Sequence, residues 1–267
     1  MSTSKSEARI VETNTILLAL SPLEDAASIE GFCGAVLTPA DLSAEVRLAN
    51  KTVFLSGEIA RADALEPQLR EAARVFVVRE LSRYGDRVPW PVVELGRLPL
   101  LVHGVGVLVR RFFDPALDYF GQIQVEHAFQ SLTESTKPGA AHRTGIYLTP
   151  VEQRGGELHF HLLRCSSNFS GPTETFRATD RRIVDALNAE AAALFEGAAP
   201  LNHVLAQIYW NTPATATAKQ TKAKIKGHAD KTKDMPSNGV MAFCTFYDPL
   251  DALQPLSSGV PQRVGQL

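Results

Sequence analysis

Hydrophobic positions in the first half of the chain fall into short runs. Thr15-Ile-Leu-Leu-Ala-Leu20, Glu45-Val-Arg-Leu48 and Thr52-Val-Phe-Leu55 predict strands, with Ala49-Asn50-Lys51 as a turn between the last two. From Glu66 to Arg83 the spacing of Leu69, Ala72, Ala73, Phe76, Val77 and Leu81 is helical, and Gly85 stands where a left-handed cap belongs. Pro89 and Pro91 then punctuate the chain, and Leu98 to Phe113 reads as extended structure. The polar stretch from Thr133 to Ala140 reads as a linker or exposed loop.

Beyond it, Thr144-Gly-Ile-Tyr-Leu-Thr149 predicts a strand and Arg154-Gly-Gly156 a turn. Glu157 to Leu163 alternates, with Leu158, Phe160 and Leu162 on one face and His159 and His161 on the other. Thr179 or Asp180 caps a helix whose stripe is Ile183, Ala186, Leu187, Ala191 and Leu194, and Gly197 ends it. Val204 to Trp210 and Gly239 to Tyr247 complete the predicted strands. The pattern is α+β: an N-terminal α+β region over 1–132, a linker over 133–140, and a β-rich sandwich or barrel over 141–267 with helices packed outside.

Composition narrows the class. The chain has 267 residues, 45% hydrophobic and 21% charged, with a net charge of −2, which excludes wholesale disorder and binding of nucleic acid by bulk charge. Cys33, Cys165 and Cys244 are far apart, so neither a disulfide framework nor a thiolate zinc site is expected, and Cys165 and Cys244 read as buried, unreactive thiols. The N-terminus lacks a signal-peptide pattern, and the greasy stretch Leu98–Val109 is too short to span a bilayer. An intracellular protein, cytoplasmic or nuclear and without a membrane partner, is expected.

The densest candidate chemistry is Lys224-Ile-Lys-Gly-His228-Ala-Asp230-Lys-Thr-Lys-Asp234, between two predicted strands. In extended structure His228 and Asp230 point the same way and can reach one cation, and an imidazole plus a carboxylate suit non-haem Fe(II). Upstream lies a strand bearing Asn202 and Tyr209; downstream lies Met241-Ala-Phe-Cys-Thr-Phe246. This order resembles the Fe(II)/2-oxoglutarate oxygenases, in particular the AlkB-like branch. The resemblance covers residues 200–248 and implies a double-stranded β-helix (jelly-roll) core with flanking helices. It implies His228 and Asp230 as iron ligands, Asn202 and Tyr209 as binders of the co-substrate 2-oxoglutarate, and hydroxylation or oxidative demethylation as the reaction.

The sequence also departs from that family. No histidine follows His228, and Arg263 is the only arginine after Asp230, so the second ligand histidine and the carboxylate-pairing base are missing. Truncation or degeneration of the oxygenase is expected, with His203, His159 or His161 as alternative third ligands. Gly155-Gly-Glu-Leu158 is similar to the GGEL segment of prolyl-hydroxylase-like oxygenases, but precedes the His-x-Asp pair instead of following it. Lys219, Lys222, Lys224, Lys226, Lys231 and Lys233 crowd the pair and offer a contact for a nucleic acid strand. The alternative reading is a non-enzymatic β-rich binding protein that keeps the fold and uses this lysine-rich loop for a partner.

Overall fold

A computed structural model describes residues 13–23, 29–43, 46–83, 88–131, 143–160, 169–210, 215–219, 229–230, 232 and 235–248. The chain divides into two compact units, one of residues 1–117 with 189–198 and the other of residues 118–188 with 199–267. The expected linker over 133–140 lies outside the described residues.

The first unit is built on a five-stranded parallel sheet. Its strands are β1 (Thr15–Ala19), β2 (Ala35–Leu37), β3 (Thr52–Glu58), β4 (Arg74–Arg83) and β5 (Val92–Val93), in the order β2-β1-β3-β4-β5. Continuous apolar runs such as Thr-Ile-Leu-Leu-Ala make this possible, because a parallel strand is covered on both faces and needs apolar side chains pointing each way. Ile16, Leu18, Val53, Leu55 and Val77 pack on one face with Leu37, Leu48 and Leu69. Leu17, Phe54 and Val78 pack on the other with Leu98.

The helix expected over Glu66–Arg83 is not what forms. Only Glu66–Arg70 is helical (α1), after a 3-10 segment over Ile59–Leu65, and the chain then enters β4. A buried apolar run satisfies the 3.6 spacing as easily as a helix stripe does, and Val75-Phe-Val-Val78 is rich in β-formers. Val77 and Val78 are fully buried in the sheet. The strand expected at Glu45–Leu48 is also absent over its described residues. Ser43 and Lys51 instead donate their amides to Val46 and Leu48 in a tight loop, and Asn50 takes a φ of 59° at the expected turn.

At the C-terminal ends of β1 and β3 the strand order changes direction, the place where open α/β sheets commonly hold ligands. Here the Glu58 amide donates to Ser21 Oγ at 3.2 Å, bridging the two strand ends. Gly57, at φ +88°, makes that approach possible, since a Cβ there would overlap Ser21. An antiparallel hairpin, β6 (Leu100–Val102) and β7 (Gly106–Leu108), supplies the extended structure expected after Leu98.

The second unit opens with helix α2 (Tyr119–Glu126), whose N-cap Asp118 accepts the Gly121 amide at 2.8 Å. Strand β8 (Arg143–Leu148) and a hairpin of β9 (Val151–Arg154) and β10 (Glu157–Phe160) follow. Helix α3 (Ala178–Leu194), which belongs to this unit up to Asn188, precedes β11 (Val204–Tyr209), and β11 pairs antiparallel with β8 in an unbroken register from Val204–Leu148 to Tyr209–Arg143. Gly197, at φ +65°, sits just beyond α3 as expected. Ile146 and Leu148 form a core with Phe176 and Val184, against which Val204 and Ala206 pack. Asn188 of α3 ties down the approach to β11, accepting the Leu201 amide and donating to the Leu201 carbonyl. The far edge of β8 is also bonded, by Gln130 opposite Gly145 and by Glu174 beside Leu148.

The expected strand over Gly239–Tyr247 is irregular instead. Met241, Phe243 and Tyr247 are exposed, while Phe246 rests its ring 5.4 Å from that of Tyr119. The segment has strand-forming composition, but a strand exists only where a neighbour accepts its ladder, and among the described residues none does. Cys244, expected to be buried there, is exposed accordingly. The described strands of this half form two two-stranded ladders, β8–β11 and β9–β10. No helix among the described residues is long and apolar enough to cross a membrane.

Candidate functional site

Strand β11 carries the residues expected to meet a co-substrate. In its unbroken register the odd-numbered residues share one face, so Tyr209 lies with Leu205 and Gln207. Tyr209 is partly exposed, and its hydroxyl donates to Gln207 Oε1 at 2.8 Å. Asn202 stands just before the strand, exposed, its carbonyl accepting from Thr149 Oγ1 at 3.2 Å. Asn202 and Tyr209 stand at opposite ends of this segment, seven positions apart. Asp230 is exposed in irregular chain, as is Lys219. His228, His161, Cys165, Lys222, Lys224, Lys226, Lys231 and Lys233 lie outside the described residues. His159 is exposed on β10.

His203, one of the alternative ligands, lies immediately before β11. Both its ring nitrogens are buried without a hydrogen-bond partner, and the ring stacks on Tyr147 at 5.6 Å with an interplanar angle of 29°. Tyr147 in turn meets the edge of Phe169 at 5.3 Å. Burial pushes the His203 pKa below its ordinary value, so the ring is neutral near pH 7 and has a lone pair to offer.

A second constellation has full geometry, and sequence reading missed it. His127 ends α2, its amide donating to Ile123, with its side chain wholly buried. Its Nδ1 lies 2.9 Å from Glu174 Oε2 and its Nε2 lies 2.6 Å from Asp180 Oδ2. Asp180, in the first turn of α3, also accepts the Arg177 amide at 2.8 Å, a position where the helix dipole favours an acid. Glu126 accepts from the Thr179 amide and hydroxyl, at 3.1 and 3.0 Å for the closer contacts. The end of α2 and the start of α3 are thereby clasped.

Burial is the largest influence on His127 and lowers its pKa, yet the hydrogen bonds and charges of Glu174 and Asp180 together outweigh it and raise the value. The two carboxylates thus favour the protonated ring, the form that can donate from both nitrogens. One donor atom each from Glu126, His127 and Asp180 lies within 4.8 Å of the others. The only local hints in the sequence are Glu126-His127 and Thr179-Asp180; the 47 positions from His127 to Glu174 give no reason to join them. Comparison with protein-family models, with curated proteins and with solved structures gives no match to this chain.

Proposed function

We propose that the chain is an Fe(II)- and 2-oxoglutarate-dependent oxygenase of AlkB-like type, with a double-stranded β-helix as the scaffold of its second half. The observation that carries this reading is the His228-Ala-Asp230 pair following a strand that presents Tyr209. His228 and Asp230 would hold the iron, which when bound supplies oxidation of a substrate C–H bond coupled to decarboxylation of 2-oxoglutarate.

The donor chemistry fits in part. Asp230 is exposed and is a carboxylate suited to Fe(II), and His203 is a neutral imidazole whose buried nitrogens lack partners. Tyr209 offers a hydroxyl and Asn202 an amide to a dicarboxylate. No arginine occupies the expected place after Asp230, and lysine gives a point charge where an arginine would give a bidentate fork. For a polypeptide of these 267 residues, weak binding of 2-oxoglutarate and slow turnover are the expected outcome.

The test is anaerobic titration of the whole chain with Fe(II) and 2-oxoglutarate, followed by succinate release in air. The expected result is a weak visible charge-transfer band, lost in His228→Ala and Asp230→Ala, with little succinate formed. A wild-type protein without the band, or a band unchanged in both variants, overturns the reading. The second reading, a non-enzymatic binding protein, is favoured by the exposed apolar side chains of Tyr209, Trp210, Met241 and Phe243.

A further inference from the structure

We propose that Glu126, His127 and Asp180 bind a divalent transition-metal cation that fastens the end of α2 to the start of α3. This stands apart from the oxygenase reading and uses none of its residues.

The first argument is geometric. Three ligand atoms within 4.8 Å of one another need to draw in by only about half an ångström each to touch one ion at bond lengths of roughly 2.0–2.2 Å. One imidazole and two carboxylates make a donor set suited to zinc, manganese or ferrous iron and poorly suited to calcium or magnesium, which prefer oxygen alone. All three residues sit at helix ends, and the Glu126–Thr179 and His127–Asp180 hydrogen bonds hold those ends together.

The second argument is the orientation of His127. Its Nδ1–H donates to Glu174 Oε2 at 2.9 Å, and Glu174 is not one of the three ligands. That bond turns Nε2 toward Asp180, the relay by which proteins commonly fix a metal-bound imidazole. Glu174 is itself held in place by backbone bonds to Tyr147 and Thr149 of the β8 segment. A histidine serving only as a hydrophobic filler has no use for such an arrangement.

The third argument is charge. Glu126, Glu174 and Asp180 bring three carboxylates around one imidazole, and the side chains of His127 and Asp180 are 0% and 4% exposed. Arg177, at 4.0 Å from Glu174, is half exposed and compensates only that outer acid. A dication bound there brings two positive charges to those three carboxylates. Lone pairs remain for it, since a carboxylate oxygen that accepts one hydrogen bond can still coordinate.

The experiment is calorimetric titration of the whole chain, stripped with chelator, with zinc chloride at pH 7.5, alongside His228→Ala/Asp230→Ala as a background that removes the proposed iron ligands. The expected result is one zinc bound in both proteins, with affinity reduced by about 10–100-fold in Asp180→Asn and in Glu174→Gln. Glu126→Gln, which leaves the His127–Asp180 contact in place, weakens zinc while the circular dichroism of the apo-protein stays unchanged; it decides the question if Asp180→Asn does not fold. No zinc bound in the background protein, or affinity unaltered in Glu126→Gln, overturns the proposal and leaves the clasp holding a proton alone.

Discussion

His127 is where the second unit has most to lose. Removing an ionic partner from a buried cluster strands the opposing charge, at a cost of about 3–5 kcal/mol. His127→Ala is therefore expected to lower the unfolding free energy by about that amount in urea titration; a change near zero would mean that Glu174 and Asp180 find other partners. The sign of the pH dependence follows from the raised pKa. In chelator-treated protein the clasp contributes fully below the unfolded histidine pKa of about 6.5 and loses its contribution as pH rises through the higher folded value. Among the described residues Glu126, Glu174, Asp180 and Arg177 are charged groups near the ring, and of these Glu174 and Asp180 sustain the shift. Stability measured from pH 6 to pH 9 should fall in the wild type and stay flatter in His127→Gln. His203 behaves oppositely. Its unpartnered nitrogens mean that His203→Leu should keep or raise stability, by up to about 1–3 kcal/mol. The same variant loses the iron charge-transfer band if the imidazole completes the iron site. His203 was visible in the sequence as one of several histidines; what singles it out is the burial of its nitrogens, which no sequence pattern encodes.

Strands covered by their own neighbours were the most legible elements. The Thr15–Leu20 and Thr52–Leu55 runs announce themselves because a strand buried on both faces has no polar positions to confuse the reading. Helix α3 was legible for the opposite reason, through a one-sided stripe and a glycine beyond its end. Segments whose state depends on distant partners were not. Arg74–Arg83 became a strand because β3 and β5 flank it, and Gly239–Tyr247 stayed irregular for want of a ladder. Leu55 of the central strand β3 is fully buried, so Leu55→Ala should cost about 2–5 kcal/mol by urea titration, cavity included. On β8, a Cβ at Gly145 would overlap the Phe169 ring. Gly145→Ala should cost about 1–3 kcal/mol, and the double variant Gly145→Ala/Phe169→Leu should recover part of it. Full additivity of the two would show that the ring does not press on the strand.

Two cores divide the chain, one around the parallel sheet and one around β8, β11 and α3. The two units exchange chain at Leu117–Asp118 and again around 189–198, because contact between elements, which leaves little mark on the sequence, defines a unit. The parallel sheet was equally out of reach, since strand direction is set by connections that fold back over a face and leave little mark on any one run. Its order, β2-β1-β3-β4-β5, also bears on how the protein is made. Each strand's ladder partners are strands near it in the chain: β1 takes β2 and β3, and β4 takes β3 and β5. At a synthesis rate of about 5–20 residues per second, the interval between β1 leaving the ribosome and its second partner arriving is a few seconds. During that interval a strand that is buried at all five positions in the finished sheet has at most one edge paired, and emergence of Thr52–Glu58 supplies the partner for the other edge.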